Sequence, residues 1–136
     1  MSDLEFIFSL IKATMKEHIT KIYGNWDDEF QRNYCKKSFD PKKHKVIVVD
    51  GEDIGCISVT QDDINIQIER LLISPAFQSL GIGTEILKEL KKEAGKNSKT
   101  LSLTVLHSNK RAKMLYERMG FNVTKKTEED YHMTCQ

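Results

Sequence analysis

Hydrophobic positions recur along the chain with two periods, and the switches between them set out its elements. Leu4, Ile7, Phe8, Ile11, Met15, Ile19 and Ile22 fall at three- and four-residue steps. That is the apolar stripe of an amphipathic helix. Ser2-Asp3-Leu4-Glu5 has the form of a capping box at its start, and Gly24 marks its end. A second helix is predicted from the Trp26-Asp27-Asp28-Glu29 segment to about Lys37, with Asp27 or Asp28 as N-cap. The period then changes to two. β-Branched residues predict a strand over 46–49, Asp50-Gly51 a turn, and Ile54 to Val59 the returning strand. Ile64, Ile66 and Ile68 alternate with Asn65, Gln67 and Glu69 in a third strand with one apolar face. After Glu69 the alternation breaks into Arg70-Leu71-Leu72-Ile73, which a bulge or burial on both sides would explain.

Ser74-Pro75 stops that run. Ile82, Ile86, Leu87, Leu90 and Ala94 share one side of the next helix, and Gly95 suits its C-terminal cap. Leu101, Leu103 and Val105 alternate with Ser102 and Thr104 as a strand. Ser108 or Asn109 can cap a helix whose inner face is Ala112, Leu115, Tyr116 and Met119, and Gly120 ends it. Phe121 to Lys125 and Tyr131 to Cys135 read as two closing strands. The order α-α-β-β-β-α-β-α-β-β predicts an α+β fold, a mixed, mostly antiparallel sheet flanked by helices. With no repeat or linker in 136 residues, a single domain over 1–136 is expected.

Composition narrows the classes of function. A net charge of +1 gives no reason to expect nucleic acid or an anionic membrane as partner. No apolar run approaches the roughly 18 residues of a membrane span. Asp3 and Glu5 break the basic-then-apolar pattern of a signal peptide. Cys35, Cys56 and Cys135 are odd in number and far apart, against a disulfide framework and against zinc spacing, so no metal is expected. They read as small reduced thiols in or near the core of a cytoplasmic protein.

Candidate chemistry centres on Gln78-Ser79-Leu80-Gly81-Ile82-Gly83-Thr84, where two glycines sit at a strand-to-helix turn. The first N–H groups of a helix lack internal partners and suit an anion. The turn fails two familiar tests. A Walker A loop needs Lys after its last glycine, and Gly83 is followed by Thr84-Glu85. A dinucleotide fingerprint needs a third Gly or Ala, and Ile86 stands there. On spacing alone, an anion cradle and a plain helix start are both open.

A second constellation changes this. Asn109-Lys110-Arg111-Ala112-Lys113-Met114-Leu115-Tyr116-Glu117-Arg118-Met119-Gly120-Phe121 follows the next strand. Together with Gln78 to Gly83 it resembles the GNAT superfamily of acyl-CoA-dependent N-acetyltransferases. The matching motifs are Q/R-x-x-G-x-G/A and N-x-x-A-x-x-L-Y-x-x-x-G-F, both complete and in order. The resemblance runs from about Val46 to Cys135.

It implies that acetyl-CoA is the cosubstrate, with its pyrophosphate on backbone N–H groups of Gln78, Ser79, Leu80, Gly81, Ile82, Gly83 and Thr84. Leu72 and Ile73 would bond the pantetheine arm through backbone groups and supply an oxyanion donor. Asn109, Ala112 and Tyr116 would also contact the cofactor, Asn109 being equally readable as a helix cap. Tyr116 resembles the family's general acid, aimed at the departing thiolate. A phenol near pKa 10 is a weak acid beside a thiol near 8.5, so hydrogen bonding to the sulfur is a sufficient role. An alkylammonium acceptor must first lose a proton, at about 4–5 kcal/mol at pH 7. Glu69 is the candidate base, with His107 a second possibility and an exposed strand acid the plain alternative. Gln67 stands where some relatives place a carboxylate, and an amide cannot take the proton. Trp26 and Asp27 are candidates for binding a cationic small-molecule or peptide amine. Their structural readings are packing between helices and capping.

The family usually begins with a strand before its first helix. Here the capping box at residues 2–5 leaves no room for one, so that strand is expected to be absent, and a monomer and a homodimer are both open. The expected activity is direct acetyl transfer to a primary amine within a ternary complex. The alternative is an acyl-CoA-binding regulatory module without turnover.

Overall fold

The computed structural model describes residues 3–135. The helices are α1 (Asp3–Tyr23), α2 (Asp28–Ser38), α3 (Ile82–Lys96) and α4 (Lys110–Arg118). The strands are β1 (His44–Val49), β2 (Glu52–Gln61), β3 (Asn65–Ile73), β4 (Thr100–Leu106), β5 (Asn122–Lys126) and β6 (Asp130–Cys135). They form one six-stranded sheet in the order β1-β2-β3-β4-β6-β5. The described residues group into two compact units. One holds the chain up to Ser58 with Arg70–Gln78, the other Val59–Glu69 with the chain from Ser79. The divisions at Ser58 and Glu69 fall inside β2 and β3, not at linkers.

In the first unit the apolar stripe of α1 does what its spacing predicts. Ile7, Phe8, Leu10 and Ile11 are buried with Cys35 of α2 and Cys56 of β2. Leu4, Phe6, Met15, Trp26, Phe39 and Leu72 pack around them. Each fully buried Ile or Phe is worth about 1.5–3 kcal/mol, so this cluster decides the packing. Polar contacts fix the register of α1 on α2. Arg32 Nη1 donates to both Glu5 carboxylate oxygens at 3.0 and 2.8 Å, and its guanidinium lies 4.3 Å from the Phe8 ring centroid. Lys12 Nζ meets Asp28 at 2.7 Å. Asp27 caps α2, its carboxylate accepting from Phe30 N at 3.0 Å. The Ser2 half of the capping box lies outside the described residues.

The Asp50-Gly51 turn has φ of +51° and +78°, the pair of left-handed residues that a tight hairpin requires. It joins β1 to β2 in antiparallel register from His44↔Ser58 to Val49↔Glu52. The strand starts at His44, earlier than the sequence pattern suggests, because the ladder also takes in His44 and Lys45. Beyond Glu69, β3 does not stop. Arg70, Leu71, Leu72 and Ile73 are all half-buried, so the broken alternation reflects burial on both sides. Gly55 of β2 lies against this stretch, where a Cβ would collide with the Leu72 carbonyl oxygen.

In the second unit, Ile66 and Ile68 of β3 and Leu101, Leu103 and Val105 of β4 are buried, as their alternation predicts. β3 and β4 pair in parallel from Asn65↔Thr100 to Ile68↔Leu103. Asn65 Oδ1 ties the start of that pair together, accepting from the Thr100 and Ser102 hydroxyls at 2.7 Å each. β6 pairs antiparallel with β4 and β5, which makes the sheet mixed. α3 does not end at Gly95. It runs to Lys96 with Asn97 as cap, and the left-handed residue beyond it is Ser98 (φ +55°). Asn97 closes the helix instead, its backbone N–H reaching Glu93 and Ala94 and its side chain donating to Glu93 O at 2.9 Å. Among the described residues no helix is long and apolar enough to cross a membrane.

Candidate active site

After β3 the Ser74 N–H donates to Ile54 O at 2.7 Å, and Pro75–Phe77 forms a single 3-10 turn. Pro75 presets that turn, a signal available in the sequence. Gln78 then folds back, its Nε2 donating to Ile73 O at 3.0 Å. Its side chain thus stabilises the end of β3, a role the sequence motif does not show.

The turn continues through two left-handed residues, Ser79 (φ +65°) and Gly81 (φ +85°). Gly81 is the N-cap of α3 and carries no side-chain cap. The first bond of the helix is Glu85 N to Gly81 O at 3.0 Å. The N–H groups of Ile82, Gly83 and Thr84 therefore precede the helical ladder, at the positive end of its dipole. Gly81 is needed for its φ. Gly83 is not: a Cβ there would sit 3.8 Å from Leu115 Cδ2, an ordinary contact.

Asn109 Oδ1 accepts from Ala112 N at 3.3 Å, so the capping reading of Asn109 holds and brings Ala112 beside it. Tyr116 lies further along α4, edge-on to the buried Phe121 with ring centroids 5.8 Å apart. Phe121 N donates to Tyr116 O at 2.9 Å, which closes the helix over the Gly120 turn (φ +97°). Burial pushes the Tyr116 phenol up to about 12, so its proton stays on the oxygen throughout the neutral range. α4 also meets the glycine turn directly, because Arg111 donates a hydrogen bond to the Ser79 hydroxyl. The second unit thus joins Ser79 to Thr84 with α4.

Glu69 is exposed on β3, and its Oε1 accepts from the Thr60 hydroxyl at 2.9 Å. Gln67 is half-buried. His107 is built into the sheet end, with Nε2 3.0 Å from Asp130 O and its ring 4.5 Å from Tyr131. These contacts give His107 a structural role at the end of the sheet. In the first unit Trp26 is half-buried against Phe8 and donates from Nε1 to Asp28 at 3.2 Å. The Lys12 bond, and next the Trp26 bond, hold the Asp28 carboxyl below the usual range. All three cysteines are buried, and none forms a disulfide. Desolvation raises Cys35 and pushes Cys56 up to about 11, as in inert core thiols. Sequence reasoning missed Arg111 and Thr60 as partners of site residues. Arg111 lay inside the quoted motif, but only the fold shows that it reaches Ser79.

An open helix N-terminus thus follows β3, and a tyrosine-bearing helix follows β4. The sequence profile of the acetyltransferase (GNAT) family matches residues 10–121, and the chain belongs to that family. No curated protein sequence matches it. Among solved structures it is similar to the PaiA N-acetyltransferase of Thermoplasma acidophilum in complex with coenzyme A. The TM-score is 0.78 at 19% identity, over 98% of this chain and 92% of that one. An N-acetyltransferase of Staphylococcus aureus aligns with TM-score 0.73 at 16% identity, over 97% and 94% of the two chains. A GNAT family acetyltransferase of Elizabethkingia anophelis with acetyl-CoA bound gives 0.62 at 18% identity, over 93% and 87%.

Proposed function

We propose that this chain transfers the acetyl group of acetyl-CoA directly to a primary amine of a cationic small molecule or peptide. The observation that carries the reading is the uncapped N-terminus of α3 behind Gly81, in a chain of the GNAT family. In this reading the cofactor's pyrophosphate takes the backbone N–H groups from Gln78 to Thr84. The backbone of Leu72 and Ile73 bonds the pantetheine arm, and Asn109 and Ala112 complete the cofactor contacts.

The amine nitrogen attacks the thioester carbonyl carbon, the C–S bond breaks, the thiolate leaves, and the nitrogen gives its remaining extra proton to water as the amide forms. Tyr116 steadies that sulfur as a hydrogen-bond donor. With the phenol at about 12, full transfer to a thiolate near 8.5 is uphill by about 3.5 units, or about 5 kcal/mol. The departing sulfur therefore gains a hydrogen bond while the proton stays on Tyr116, and the thiolate is protonated from water. Glu69 takes the proton that the ammonium gives up before attack. Thr60 occupies one of its carboxylate oxygens, Oε1, and Oε2 supplies the basic lone pair. Trp26 and Asp27 lie at the start of α2, where negative charge favours a cationic acceptor.

Incubation with acetyl-CoA and a panel of small-molecule and peptide amines tests this by thiol release. The reading predicts release above the hydrolysis blank with at least one cationic amine. CoA binding with no release across the panel would replace it with a regulatory acyl-CoA-binding module.

A further inference from the structure

The turn from Gln78 to Thr84 contains no lysine or arginine, and the next residue, Glu85, is acidic. Lys88 is engaged with Glu85 at 3.6 Å. A pyrophosphate brings about two negative charges to this place, and backbone dipoles alone must offset them. The structure ties one full positive charge to the turn. Arg111, exposed in the first turn of α4, donates to the hydroxyl of Ser79. Ser79 is itself unusual, a non-glycine residue at φ +65°. Such a conformation persists only where surrounding contacts hold it. Of its basic neighbours on α4, Lys113 is engaged by Glu117 at 3.6 Å and lies 4.7 Å from the Tyr131 ring centroid.

We infer that Arg111 is a positioning residue for the cofactor: through Ser79 it holds the turn in its phosphate-receiving form and adds the cation the turn lacks. The inference rests on the acetyl-CoA reading above. Its consequence is selectivity for thioesters that carry a nucleotide diphosphate. A guanidinium presents five N–H donors in a fixed fork, so a bond to Ser79 and a bond to a phosphate oxygen are geometrically compatible.

Calorimetric titration with CoA at low and moderate salt tests this, using wild type, Arg111→Gln, Arg111→Lys, Ser79→Ala and the Arg111→Gln/Ser79→Ala double variant. Loss of a charge-assisted contact predicts about tenfold weaker CoA binding in Arg111→Gln, with weaker salt dependence. Arg111→Lys should fall between, because it keeps the charge and loses the fork. Because Arg111 acts through Ser79, the double variant should lose less than the sum of the two single losses, and a fully additive loss overturns the route through Ser79. Arg111 is exposed, so the cofactor-free melting temperature should not move, which separates cofactor positioning from a merely structural role. Unchanged CoA affinity in Arg111→Gln, within twofold of wild type at low salt, overturns the inference alone. Absence of CoA binding by wild type overturns the cofactor reading and this inference with it.

Discussion

The Tyr116 ring meets Phe121 edge-on, at 62° and 5.8 Å between centroids. Phe121 is 2% exposed and fixed, so it sets the direction of the tyrosine above it. Tyr116→Phe keeps that packing and removes only the hydroxyl. The kcat should fall by about 100-fold, as expected for one hydrogen bond realised at the leaving sulfur, with the KM for acetyl-CoA unchanged. Steady-state kinetics with the best amine checks this. The basic limb of the rate profile should show no tyrosine ionisation below about pH 11, because burial holds the phenol up to about 12.

Three glycines separate folding from binding. At Gly55 a Cβ meets backbone oxygen, which cannot yield, so Gly55→Ala should cost about 2–4 kcal/mol or abolish folding. At Gly81 the φ of +85° makes Ala strained, at about 1 kcal/mol. At Gly83 an alanine fits its surroundings and favours the helix by up to about 1 kcal/mol. Gly83→Ala should therefore melt no lower than wild type yet bind CoA more weakly, if phosphate approaches its backbone. Paired denaturation and calorimetry decide it.

Glu69→Gln removes the only proton acceptor proposed at the acceptor amine. Activity should fall about 10- to 100-fold at pH 7. The deficit should shrink as pH rises toward the amine's own pKa, where free amine no longer needs a base. A rate profile that is unchanged in Glu69→Gln would mark Glu69 as an ordinary strand acid bonded to Thr60.

Cys56 links stability to pH. Well below pH 9 its thiol is neutral in both folded and unfolded chains, and its contribution is fully present. As pH rises toward about 11 the unfolded chain ionises first, and stability is lost. The loss should be on the order of 2–3 kcal/mol. Urea midpoints between pH 8 and pH 11 should fall more steeply for wild type than for Cys56→Ala. In the native state none of the three cysteines should react with an aromatic disulfide reagent, and all should on unfolding.

Much of this molecule is legible in the pattern of its residues. The stripe from Leu4 to Met15 and the alternations at Ile66–Ile68 and Leu101–Val105 are dictated by burial on one face, so element type follows from period. The Asp50-Gly51 turn follows from φ alone. What stayed hidden depends on contacts far apart in sequence. Gly95 looks like a helix end, but Asn97 and Ser98 supply the termination. The Arg111–Ser79 and Thr60–Glu69 bonds join residues that no local period relates. The glycine turn shows the division within one motif: Gly81 is explained by its own backbone, and Gly83 by nothing the chain itself contacts closely.

The most direct measurement follows acetyl-CoA, a reactive amine and the protein together by mass spectrometry from the first turnover. Direct transfer predicts acetylated amine and free CoA in equal amounts, with no acetylated protein accumulating when the amine is withheld. No acetylated amine from any acceptor, or an acetyl-protein species that forms first and then decays into product, would contradict it.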